Sequence, residues 1–287
     1  MKILIVSNDP AGAELLSSWV ALNKKHTYRY MLGLPAREVF KKKINLSDDD
    51  IFAIEKVIKS FDLVLTGTSQ DSSLEKEAII IAKENQIKVI SFLDYWVNFK
   101  IRFKYNGFYV YPDEIWVTDK YALKNAKKEL PGANIKLKNN PYISELLSKK
   151  VENLRNLDSF NILYVCQPYF EDGLSDFEAL DYFFSLVESL KKQNIKVKLR
   201  LHPLEESSKY NDVIEKFSKN LEISLSVKTN LSIDLNWSNI VIGMHAQALA
   251  VSVEFGIKTF FCIPPNGKKC ILPQKEITDF EAYVKLN

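Results

Sequence analysis

Residues 161–173 read NILYVCQPYFEDG. The run Asn161–Cys166 is apolar without alternation, the pattern of a strand covered on both faces, and it stops at Gln167-Pro168. Downstream, Phe177–Gln193 has the spacing of an amphipathic helix, and Lys196–Leu201 (KVKLRL) is the next strand. Asn211–Lys219 is helical, Glu222–Val227 a short strand, Ile240–Ile242 a strand running into Gly243, Ala246–Phe255 a helix and Lys258–Ile263 a last strand. Strands alternating with helices predict an α/β fold with a parallel sheet.

The same pattern precedes it. Lys2–Val6 (KILIV), Phe61–Thr66, Lys88–Leu93, Glu114–Val117 and Ile135–Leu137 read as strands, with helices predicted over Ala13–Lys25 and Leu74–Asn85. Glu145–Asn156 is a charged helix and the expected linker. The division is therefore two Rossmann-like domains, residues 1–150 and 151–287, with their parallel sheets expected to face a central cleft.

The chain has 287 residues, is 46% hydrophobic and contains only 9 Gly and 10 Pro, which excludes a disordered or linker-like protein. Its 39 basic and 36 acidic residues leave a net charge of +3, too mild for a nucleic-acid partner. Cys166, Cys262 and Cys270 form no CxxC pair, so neither a disulfide framework nor a zinc site is expected. No apolar run approaches the ~20 residues of a membrane span. The expected location is cytoplasmic, or peripheral at the inner face of a membrane.

In such folds functional residues gather in the loops after the strands. After the first strand come Asn8, Asp9 and Gly12, in NDPAGA, where Asp9 is a helix cap, an acceptor contact or a base. Asp94 and Trp96 follow KVISFL. They open an aromatic segment, residues 91–112, interleaved with Lys100, Arg102 and Lys104. Those rings pack as a satellite core, stack on a sugar or sit at a membrane surface. Glu171 and Asp172 stabilise a helix start, or one of them is a general base, with Asp172 the choice.

His26 reads as a surface residue, whereas His202 and His245 both follow strands. Pro203 presses His202 into an extended backbone, presenting its ring to a phosphate. Gly243, His245, Ala246 and Gln247 join strand to helix as an anion-binding helix start would. Glu254 lies further along that helix, reaching a ribose or staying on the surface. Asp48-Asp49-Asp50 is not at a strand end, so no DxD metal motif is evident.

With these residues in place the chain resembles GT-B-type glycosyltransferases, and more closely the bacterial sialyltransferases, polysialyltransferases and capsule Kdo transferases. The resemblance rests on Glu171-Asp172-Gly173 and, thirty residues on from Asp172, His202-Pro203. Gln167-Pro168 matches a Gln-Pro that some members place before the acidic motif. It implies a GT-B-like fold and metal-independent transfer from a nucleotide sugar, CMP-linked, to a glycan or lipid-linked acceptor in surface polysaccharide synthesis. That donor is a substrate, so no cofactor is expected. Asp172 would be the base and His202 the phosphate contact. The donor would lie among Gln167, Pro168, Gly173, Pro203 and the 243–247 loop. The acceptor would lie on the first domain. The family's Ser/Thr pair is replaced by His245-Ala246-Gln247. A nucleotide-sugar epimerase or hydrolase, and a non-catalytic nucleotide-binding subunit, are the alternatives.

Overall fold

The computed structural model describes residues 1–44, 46, 58–151, 158–168, 170–171, 174–202, 205–226 and 230–286. The chain forms two compact units, Met1–Glu145 and Leu146–Asn287.

The first unit runs β1 (Lys2–Ser7), α1 (Pro10–Leu22), β2 (Thr27–Leu32), α2 (Leu34–Ile44), β3 (Leu63–Thr66), α3 (Leu74–Glu84) and β4 (Lys88–Phe92). It continues through α4 (Phe99–Arg102), the hairpin strands β5 (Lys104–Tyr105) and β6 (Phe108–Tyr109), β7 (Glu114–Val117), α5 (Lys120–Glu129), β8 (Ile135–Leu137) and α6 (Pro141–Ser148). The main sheet is parallel, in the order β2-β1-β3-β4-β7-β8. Ile3, Ile5, Leu65 and Phe92 from the strands pack with Leu16, Ala36 and Phe40 from α1 and α2. Ala78, Ile79 and Ala82 are the buried apolar stripe of α3. Two covered faces explain why β1, β3 and β4 are continuous apolar runs.

The second unit contains β9 (Phe160–Val165), the hairpin β10 (Phe170–Glu171) and β11 (Leu174–Ser175), α7 (Asp176–Glu188), β12 (Ile195–Arg200), α8 (Asn211–Phe217) and β13 (Glu222–Ser226). Then come α9 (Leu231–Trp237), β14 (Ile240–Gly243), α10 (Gln247–Glu254), β15 (Lys258–Phe261), β16 (Ile277–Asp279) and α11 (Phe280–Leu286). Its parallel sheet has the order β13-β12-β9-β14-β15-β16. Numbered within the unit, that is 3-2-1-4-5-6, the Rossmann order, whose direction reverses between β9 and β14. Phe183, Phe184, Val197, Leu199, Ile242, Phe260 and Phe280 share one core.

Several expectations need correction. The helix expected over Glu145–Asn156 is instead α6, starting at Pro141, where proline suits a first turn. Residues 152–157 lie outside those described. β2 escapes the apolar-run criterion because its first half is largely exposed, as befits an edge strand. His26 is not simply a surface residue: its ring is half-buried and stacks on Trp19 at 6.3 Å. Asp48-Asp49-Asp50 lies outside the described residues.

Candidate functional site

In the second unit the sheet reversal sits between the ends of β9 and β14. There the Gln167 side chain crosses the gap, its Oε1 accepting the His245 backbone N–H at 2.9 Å. Pro168 is exposed and His245 buried. Ala246 is the N-cap of α10 and makes no side-chain cap bond, while its carbonyl accepts the Leu249 N–H at 3.0 Å. Gln247 opens the helix, half-buried. Gly243 serves packing: a Cβ there would stand 3.0 Å from the Val165 carbonyl and 3.3 Å from Leu249. Glu254 is the exposed last residue of α10. Seven residues at 1.5 Å each put it about 10 Å from the helix start, away from the loop.

His202 follows β12 and is half-buried. Its backbone N–H donates to Glu205 Oε2 at 2.8 Å, and its carbonyl accepts the Glu205 N–H at 2.9 Å. Burial lowers the His202 pKa; Glu205 opposes that and Lys209 reinforces it. The ring is thus neutral at neutral pH, able to donate one N–H. Glu205 Oε1 also accepts from Tyr210 at 2.6 Å and Lys209 at 2.7 Å. Lys209 and Tyr210 both reach Asp176, the latter at 3.1 Å. This buried network fastens the His202 loop to α7.

Asp172, Gly173 and Pro203 lie outside the described residues. Glu171 pairs with Leu174 in the β10–β11 hairpin, and its side chain is not described. The start of α7 is stabilised by other groups: Ser175 and Glu178 form a capping box, with Asp176 in the first turn.

In the first unit, numbering the main strands gives 2-1-3-4-5-6, and the reversal falls between β1 and β3. Asp9 is the N-cap position of α1 but makes no side-chain cap bond. Its Oδ1 instead accepts from Ser69 at 3.0 Å and from Asn8 Nδ2 at 3.2 Å. The Asn8 backbone N–H donates to Glu75 Oε1 at 2.6 Å. Glu75 is 2% exposed, and burial, aided by Asp9, pushes its carboxyl up to about 7 against the Asn8 bond and Lys76. Gly12 lies next to the loop after β3, where a Cβ would make only ordinary contact, 3.5 Å from the Gly67 Cα.

Asp94 is buried and pairs with Arg102 at 2.9 Å, and the Thr68 hydroxyl donates to it at 3.3 Å. Burial raises its pKa despite that guanidinium. Trp96 is buried, and its indole N–H donates to Asp119 Oδ2 at 2.7 Å, anchoring the start of α5. Glu75, Ser69, Arg102 and Glu205 were not among the expected site residues.

No family model matches the chain, and no curated protein matches it in sequence. Its fold recurs among solved structures. A Listeria monocytogenes protein provisionally assigned as a UDP-N-acetylglucosamine 2-epimerase superposes with a TM-score of 0.69 at 12% identity, over 99% of this chain and 86% of that one. UDP-GlcNAc 2-epimerase from Neisseria meningitidis, solved with UDP-GlcNAc bound, gives 0.60 at 13% identity over 91% and 82%. Acinetobacter baumannii MurG gives 0.52 at 11% identity over 92% and 79%. At such identities the likeness is one of fold. The chain has a GT-B-like architecture of two parallel-sheet α/β domains, as expected.

Proposed function

We propose that the protein is a nucleotide-sugar enzyme that transfers a glycosyl group, sialic acid or a related sugar from a CMP-activated donor, to a glycan or lipid-linked acceptor. The observation that carries this reading is the Gln167–His245 bond at the sheet reversal, beside the uncapped start of α10. The positive end of a helix dipole suits a phosphate, and ligands of open α/β sheets bind outside the carboxyl ends of the strands at such a reversal. The donor phosphate rests there, and the neutral His202 ring donates its N–H to the departing phosphate. Asp172 takes the proton of the acceptor hydroxyl. The loops around Asn8, Asp9 and Asp94 supply the acceptor side.

Two measurements test this. A thermal-shift screen against CMP, CDP, UDP and GDP should raise the melting point most with CMP, because a ligand that binds only the folded chain stabilises it by mass action. Asp172→Asn and His202→Ala should each abolish most transfer; wild-type turnover in both would refute the assigned roles.

A second reading is favoured by the likeness to 2-epimerases across most of the chain. In it the enzyme epimerises or hydrolyses the nucleotide sugar. Epimer or free sugar released from donor alone, at a rate indifferent to acceptor, would select it.

A further inference from the structure

The connection from β4 to β7 carries a hairpin that neither strand-end cluster uses. Asn106 and Gly107 join β5 to β6 with φ of 46° and 90°. Both are left-handed, as a two-residue hairpin turn matching the strand twist requires. The base is firmly rooted. Phe99 and Phe103 are fully buried, and the Val110 N–H donates to the Phe103 carbonyl at 2.8 Å. Arg102 is held by Asp94, and the Tyr105 hydroxyl donates to Glu77 at 3.3 Å.

The tip is half-exposed. Phe108 is 53% and Tyr109 49% exposed, with Ile101 42% exposed just before the hairpin. Among the described residues the one other aromatic exposed to a comparable degree is Phe177, at 41%. A Cβ on Gly107 would meet nothing within 4 Å. Lys100 and Lys104 are exposed and close to these residues in sequence.

Half-exposed rings on a hairpin, with exposed lysines close in sequence, complement one kind of surface. An anionic bilayer offers an apolar boundary for the rings and phosphates for the ammonium groups. A sugar subsite presents its rings in a concavity lined with hydrogen-bonding groups, whereas at this turn the space around Gly107 is open and Phe108 and Tyr109, packed on Tyr105 and Tyr111, keep about half their surface exposed. The geometry points to the β5–β6 hairpin as an interfacial anchor that seats the protein on an anionic membrane. Phe108 and Tyr109 enter the headgroup boundary, and Lys100 and Lys104 face lipid phosphates. Among the described residues no helix is long and apolar enough to cross a membrane; the hairpin attaches without spanning.

The test is co-sedimentation of the full chain with phosphatidylcholine vesicles, with and without phosphatidylglycerol. The protein should partition onto the anionic vesicles and little onto the neutral ones. Lys100→Ala with Lys104→Ala should lower partitioning about thirtyfold, from the worth of two cations near such a surface. Phe108→Ser with Tyr109→Ser should lower it at least about tenfold, as lost apolar burial requires. Circular-dichroism melts check the fold; if the aromatic pair unfolds the chain, the lysine pair alone decides. No partitioning onto either vesicle, or partitioning that the variants leave unchanged, overturns the proposal. So does a self-association that the aromatic variants abolish without vesicle binding, or a loss of soluble-glycan binding in its place.

Discussion

Glu205 grips His202 by its backbone rather than its ring: one carboxylate oxygen accepts the His202 N–H at 2.8 Å while the other takes Tyr210 at 2.6 Å and Lys209 at 2.7 Å. The loop after β12 is thereby tied to α7 through a buried carboxylate. Removing one partner of such a network leaves the others uncompensated. Lys209 stays partly solvated, so the cost falls below that of a fully buried pair. We expect Glu205→Ala to lose about 2 kcal/mol in urea unfolding, and Glu205→Gln, which keeps an acceptor for His202, to lose less.

The His202 ring titrates below its ordinary value of 6.5 because burial disfavours the imidazolium. Its donor N–H is therefore present unchanged through neutral and mildly alkaline pH. The profile of kcat/KM against pH should show no fall through neutral pH that disappears in His202→Gln. Such a fall, with activity requiring the protonated ring, would refute the neutral-donor role.

Glu75 links pH to stability. Its folded pKa, about 7, lies above the ordinary 4.5, so the folded chain holds a proton that the unfolded chain releases. The protonated carboxyl costs nothing below about pH 4.5. Stability is lost as pH rises from there through 7, by about 3 kcal/mol in total. Asp9 and Lys76, the charged groups acting on it, shift the midpoint without changing the sign. Denaturation at about pH 5 and about pH 8 should differ by that order in the wild type and by much less in Glu75→Gln.

Two glycines separate packing from permissiveness. At Gly243 a methyl would press on the Val165 carbonyl at 3.0 Å, backbone that cannot rotate away. Gly243→Ala should cost about 1–3 kcal/mol by overpacking. At Gly12 the nearest atom would be Ser7 Oγ at 3.4 Å, an ordinary contact. Gly12→Ala should change unfolding by less than about 0.5 kcal/mol. Equal effects at the two sites would contradict the packing described.

The central strands of both sheets are legible in the chain because each is buried on two faces, which demands unbroken apolar runs such as KILIV and NILYVC. Edge strand β2 is not, since half its residues face water and carry no such demand. The strand ends are legible as site positions only in the sense that loops there collect Asn8, Asp9, Gln167, His202 and His245. Which of them meet is not legible. Gln167 and His245 are 78 positions apart, and their contact exists because β14 inserts next to β9, a choice of strand order that local sequence does not encode.

Glu75 and Trp96 show the same division from the side of single residues. In sequence Glu75 is one charge on an amphipathic helix, and only the fold of β1 against α3 buries it under the Asn8 amide and gives it a perturbed proton. In sequence Trp96 is one ring of an aromatic segment, and only the fold brings Asp119 to its indole N–H. The sequence by itself determined the class of fold and the loops where polar residues collect, because burial and periodicity act over a few residues. Tertiary structure decided partners, burial and protonation, because those depend on which distant segments the sheets place side by side.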